Sequence, residues 1–183
     1  MRVLADMEDI DAVERIRREQ PLVIFSVYTH IQAEITRGLG RDVLATLDAA
    51  FGPNGVDGSG FNRAYGQFWL WVLAAYEIVR TMYQSKGCFS DRLVRRLGEF
   101  KKRIAELRIP FAKQEYPGKR DRPIQAEASI YDVDAGAKDI SFEVRGQVIS
   151  ARALLAEFEE LVSTADAGDV LHRHGWSPEH DVS

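Results

Sequence analysis

The sequence predicts a mainly α protein: a helical bundle, then a small antiparallel β-hairpin or meander, then one final helix, all within a single domain. Three observations carry this expectation. Apolar residues recur at helical spacing through the first 115 positions, the period falls to two from about Ala126, and an amphipathic segment with a serine cap begins at Ser150. With 183 residues, 45% of them hydrophobic and 28% charged, the chain has enough apolar material for a core of its own.

The elements follow in order. Ile10, Val13 and Ile16 are spaced three apart on a first helix from about Met7 to Glu19, closed by Arg15, Arg17 and Arg18, where cations suit the helix dipole. Pro21 interrupts it. From Leu22 the set Ile24, Tyr28, Ile31 and Ile35 has helical spacing; Leu22 to Tyr28 alone has the β-branched content of a strand, but the pattern runs on too far for one. Gly38 and Gly40 weaken or end this helix, and Val43, Leu44 and Leu47 support a further segment to Phe51.

Residues 52 to 60 hold four glycines and read as a loop. A phosphate-binding loop of the nucleotide-hydrolase type ends in Gly-Lys-Ser/Thr, whereas here Gly60 is followed by Phe61 and Asn62. A helix from about Phe61 to Tyr83 has no polar face between Phe68 and Tyr76, which marks it as the buried centre of the bundle and Phe68, Trp69, Trp71 and Tyr76 as core. Ser90 caps the next helix, on which Leu93, Leu97, Phe100, Ile104 and Leu107 form one stripe as far as Pro110, with a short continuation possible beyond it. Tyr116 to Pro123 is an exposed connection.

Ala128 and Ile130, then Ile140, Phe142 and Val144, alternate with polar residues, with turns expected at Asp134-Ala-Gly136 and Arg145-Gly146 and a last strand at Gln147 to Ile149. The final helix, from Ser150, carries Leu154, Leu155, Phe158, Leu161 and Val162 on one face. The bundle thus spans about 7–115, the meander and helix about 126–164, and a polar, fraying tail about 166–183. A sheet of two or three strands needs a surface to pack on, the bundle or a second chain, which makes a homodimer an expectation.

Nine apolar residues, Phe68 to Tyr76, are too few to cross a bilayer, and Met1 to Asp11 is acidic where a leader would be basic. Cys88 is the one cysteine, so no internal disulfide forms. The expected location is the cytoplasm, with no membrane association. The net charge of −4 is uneven: residues 91 to 122 hold 11 Lys and Arg against 5 Asp and Glu, a local +6 that is either a solvated helix face or a surface for phosphates.

Chemistry is sparse. Glu77 and Arg80 follow the apolar run on one helix; near a core they must pair with each other or line a polar pocket with Lys113, Arg95 or Arg96. His172, His174 and His180 lie in the tail without cysteine partners or i, i+4 spacing, so no metal site or other cofactor is expected. His30 stands alone on its helix, as a general base or a structural residue. No Gly-x-Ser-x-Gly elbow occurs.

Tyr76-Glu-Ile-Val-Arg80-Thr, the basic helix after it, and Leu107-Arg-Ile-Pro-Phe-Ala-Lys-Gln-Glu115 resemble, in helical order and charge placement over residues 20 to 115, the HEPN family of helical-bundle proteins, many of them ribonucleases. That family's signature is Arg, four to six residues, then His. Here Arg108 is followed six positions later by Gln114, which cannot serve as a general base. The resemblance implies an inactive bundle used for binding or dimerisation. The leading expectation is therefore a non-enzymatic bundle acting through self-association or a protein partner. Two alternatives stand beside it: an RNA-binding protein or ribonuclease using Arg80, Arg95, Arg96, Arg108 and Lys113 against phosphates, and a small-molecule binder at Glu77 and Arg80.

Overall fold

Residue 12 and residues 14–53, 55–113, 115–116, 119–123 and 130–175 are described by the computed structural model of the chain. Residues 14–19 are helical; the start expected at Met7 lies outside the described residues, as do Gln114, the strand residues before Ile130 and His180. Pro21 opens α1 (Pro21–Phe25), where its fixed φ suits the first helical turn. The chain breaks at Ser26, whose extended backbone and side chain, accepting from the Thr29 N–H at 3.2 Å, cap α2 (Val27–Ala50).

Gly38 and Gly40 do not interrupt α2, contrary to the sequence expectation. At Gly40 the reason is packing: a Cβ there would stand 3.2 Å from Leu155 Cδ2 and 3.2 Å from Trp71 Nε1, so the glycine sits where neighbouring elements come closest. After α2, β1 (Phe51–Gly52) and β2 (Gly55–Val56) make a small hairpin within the expected loop. Asp57 then accepts from the Ser59 and Gly60 N–H groups and starts α3 (Gly58–Gln84) three residues earlier than hydrophobic periodicity alone indicates.

A 3-10 turn at Lys86–Cys88 leads to α4 (Asp91–Lys113), capped by Ser90 Oγ, which accepts from the Leu93 N–H at 3.2 Å. The helix runs one turn past its stripe with Pro110 inside it. That turn is held by Phe111, whose ring meets Phe68 and Phe142 edge-on. The expected connection beyond it contains a short ribbon, β3 (Glu115–Tyr116) paired with β4 (Lys119–Pro123).

The meander is β5 (Ile130–Asp134), β6 (Asp139–Val144) and β7 (Gln147–Ser150), antiparallel in that order. Asp134 Oδ1 accepts from the Ala137 N–H to close the first turn. Arg145 and Gly146 both have positive φ in the second, as a two-residue hairpin of the primed type requires. Ile140, Phe142 and Val144 are buried, turning one face of the sheet onto the helices. Ser150 Oγ accepts from the Ala153 N–H and caps α5 (Ala151–Ser163), whose Leu154, Leu155, Phe158 and Leu161 complete the core.

The centre of that core is a run of rings. Phe68 stacks on Phe142 with centroids 5.4 Å apart and on Trp71 at 5.7 Å, and Trp71 meets Phe158 edge-on at 5.6 Å. The apolar segment of α3 is not buried all round: Phe68 and Trp71 are fully buried, whereas Leu70 and Trp69 are exposed on the side turned from the core.

The fraying expected after Asp166 does not hold as far as Gly175. Asp166 caps a 3-10 turn at Ala167–Asp169 in a capping box closed by Asp169. Val170 bridges to Phe89, the Leu171 N–H donates to the Cys88 carbonyl, and the His174 N–H donates to the Phe25 carbonyl. Cys88 is buried there, its thiol donating to the Arg173 carbonyl. Polar composition concealed a segment fastened by its backbone.

Candidate functional site

Glu77 and Arg80 pair with each other, one of the two arrangements expected, and because α3 and α4 pack side by side Arg108 joins them, a contact the sequence did not single out. Arg80 Nε donates to Glu77 Oε2 at 2.8 Å, and Arg108 Nη2 reaches Glu77 Oε1 at 3.4 Å while its guanidinium carbon stands 5.0 Å from the Tyr76 ring centre. The expected setting is corrected, however. The side chains of Glu77 and Arg80 are 45% and 42% exposed, so this is a surface cluster rather than a pair buried at the core. Lys113 is exposed on the last turn of α4.

Arg95 and Arg96 lie elsewhere on α4 and do not join that cluster. Arg95 is exposed, and Arg96 donates to Thr164 Oγ1 at 2.7 Å beside α5. Part of the basic stretch is engaged by neighbouring side chains, acidic or aromatic. Arg103 pairs with Glu157 at 2.7 Å, Lys101 sits 3.8 Å above the Tyr83 ring, and Arg92 binds both Asp166 and Asp169. The local +6 that the sequence offers to phosphates is thus partly matched inside the fold by α5 and the turn after it.

Two clusters escaped sequence reasoning. In the first, Asp169, 2% exposed, accepts from Ser90 Oγ and Arg92 and joins the start of α4 to the segment after α5. Burial alone would raise its carboxyl, but the hydrogen bonds from Arg92, Ser90 and the Asp166 backbone outweigh it and hold the group below the usual carboxylate range. The Asp166-x-x-Asp169 capping box was the available signal. In the second, Arg37 of α2 binds Glu34 at 2.7 Å and also Glu159 of α5. The bond to Arg37 holds the Glu159 carboxyl low and keeps the guanidinium protonated. No local pattern links positions 122 residues apart. His30 is half-buried beside this cluster, lining a cavity of about 420 Å³ with Arg18, Glu34 and Arg37.

His172 and His174 belong to the docked segment, and the His174 ring meets Phe25 edge-on at 5.2 Å. Among the described residues, no group of three or more His, Cys, Asp or Glu is placed to hold a metal ion, and no helix is long and apolar enough to cross a membrane.

The least expected surface is apolar. Tyr28, Ile31 and Ile35, whose spacing marked a helix in the sequence, point outward with exposures of 71%, 47% and 66%, and Val27 is exposed beside them. The core side of the same half of α2 consists of Thr29, Ala33, Thr36 and Gly40. Large side chains therefore stand in solvent while small ones face the bundle, the reverse of the usual amphipathic helix. Comparisons with family models, curated proteins and solved structures return no match to this chain.

Proposed function

We propose that this protein is a non-enzymatic helical-bundle module that self-associates through the outer face of α2. The observation that carries the reading is the outward stripe of Val27, Tyr28, Ile31 and Ile35. Single exposed apolar residues need no explanation, but a contiguous run of large ones characterises an interaction surface. The meander and α5, expected from the sequence either to close the core or to form the dimer contact, turn Ile140, Phe142, Val144, Leu154 and Phe158 into the core, while Tyr131, Val133 and Val148 of the meander remain exposed. Among the exposed apolar residues of the described chain, Tyr28, Ile31 and Ile35 with Val27 form a run at helical spacing along one helix face.

A second copy of the chain suits that stripe. Between Val27 and Ile35 the charged residue is Glu34, which Arg37 engages, so the stripe brings no unpaired like charge against itself. An antiparallel crossing about a twofold axis near Ile31 sets Val27 and Tyr28 of one protomer against Ile35 of its partner. The polar rim of α2 extends the patch toward the roughly 800 Å² a side of a standard interface. The HEPN resemblance, taken without its histidine, points to the same use of a bundle.

Sedimentation equilibrium tests the reading on the wild type and on the double variant Ile31→Glu/Ile35→Glu. The expected result is twice the chain mass of 20.7 kDa for wild type and 20.7 kDa for the variant, with the same far-ultraviolet circular dichroism. A monomeric wild type, or a variant that stays dimeric, overturns it.

A further inference from the structure

Between α2 and α5, away from the outward stripe, lies a cavity of about 340 Å³, near the lower end of small-molecule site volumes. Its walls are Leu44, Leu155, Phe158 and the Trp71 ring. Trp71 is fully buried, yet its Nε1–H has no hydrogen-bond acceptor among the described residues. Buried donors in folded proteins are nearly always satisfied, so an orphan at a cavity wall is the mark of a missing acceptor. Gly40 stands in front of that nitrogen, where any side chain would come within 3.2 Å of it.

At the rim the charges divide unequally. Arg37 is committed to Glu34 and Glu159, whereas the exposed Arg41 makes no hydrogen bond or ion pair within the described residues, though its charge acts on Glu159 across the same rim. The rim thus offers one cation that is not hydrogen-bonded within the described residues, near one orphan donor, over an apolar groove.

We propose that this cavity binds a small carboxylic acid with an apolar body. One carboxylate oxygen accepts the Trp71 indole N–H, the other faces the Arg41 guanidinium, and the tail lies along Leu44 and Leu155. The site is separate from the α2 stripe and does not depend on self-association.

Octanoate is the probe, with 1-octanol as its uncharged counterpart. In ¹⁵N-labelled protein three tryptophans give indole signals. That of Trp69, whose Nε1 already donates to the Phe111 carbonyl at 3.0 Å, serves as an internal control. Octanoate should move the Trp71 indole signal downfield, leave that of Trp69 in place, and raise Tm by about 3–5 °C at ten times its Kd. Trp71→Phe, which keeps a six-membered aromatic ring and removes the donor, should weaken octanoate about fivefold. Arg41→Gln should weaken octanoate similarly and leave 1-octanol unchanged. Gly40→Ala should abolish both; if that variant does not fold, Arg41→Gln at its exposed position carries the test. A Trp71 signal that stays still at saturating octanoate, or octanoate affinity unchanged in Trp71→Phe and Arg41→Gln, overturns the proposal and leaves the cavity a packing void.

Discussion

Helices α2 and α4 have nearly the same length, 24 and 23 residues, and both show apolar residues at helical spacing, but they turn those residues in opposite directions. On α4, Leu93, Leu97, Phe100, Ile104 and Leu107 are all buried and the cations face outward. On the first half of α2 the large residues face outward and Thr29, Ala33, Thr36 and Gly40 face the bundle. Periodicity reports that a segment is a helix, whereas the size its core face tolerates is set by how closely its neighbours approach. At Gly40 Trp71 Nε1 and Leu155 Cδ2 stand 3.2 Å from where a Cβ would go, and there only a very small residue fits.

The largest test of this contrast is truncation. Phe100→Ala on α4 should cost about 3–5 kcal/mol of unfolding free energy in urea, whereas Tyr28→Ala on α2, measured on monomeric protein, should stay within about 0.5 kcal/mol. Equal losses would mean that the outer face of α2 belongs to the core. Next in size, Ala33→Leu places a large residue on the tight face and should cost about 1–3 kcal/mol through overpacking; a neutral result would show that α2 and α3 have room to separate.

Asp169→Asn should cost a similar about 1–3 kcal/mol by weakening the bonds to Ser90 and Arg92. The pH dependence has a definite sign. Asp169 and Glu159 are both held below their usual carboxylate values. Their stabilisation is therefore present above the unfolded carboxylate range of about 4 and is lost as pH falls through the lower folded values. Acid titration of Tm should show that loss, and Asp169→Asn should flatten it. The smallest effect belongs to Arg103→Ala: its pair with Glu157 is more than half exposed on the arginine side, so stability should change by about 0.5 kcal/mol or less.

The same contrast separates what could be read from the sequence from what could not. The fold class, the meander with its Arg145-Gly146 turn, and the capped helix after Ser150 were legible because local spacing and local caps decide them. So was the meeting of Glu77 with Arg80, three residues apart on one helix. The outward turn of Tyr28, Ile31 and Ile35, the unbroken helix through Gly40, and the links from Arg37 to Glu159 and Arg92 to Asp169 were not. Each depends on a partner distant in sequence, and the exposure of Glu77 and Arg80 depends on which side of α3 the other helices occupy.

The docking of residues 170–175 gives assembly an order. The His174 N–H binds the Phe25 carbonyl and the Leu171 N–H binds the Cys88 carbonyl, so the end of the described chain fastens onto its beginning and its middle. Joining positions so far apart carries a large loop-closure entropy, which is met more easily once the helices between them are packed. During synthesis α1 to α4 emerge before this segment does, and for that interval Phe25 and Phe89 lack their cover. The closing strap is thus the last part of the described fold to be made, and its arrival ties a set of packed helices together at Phe25 and Cys88.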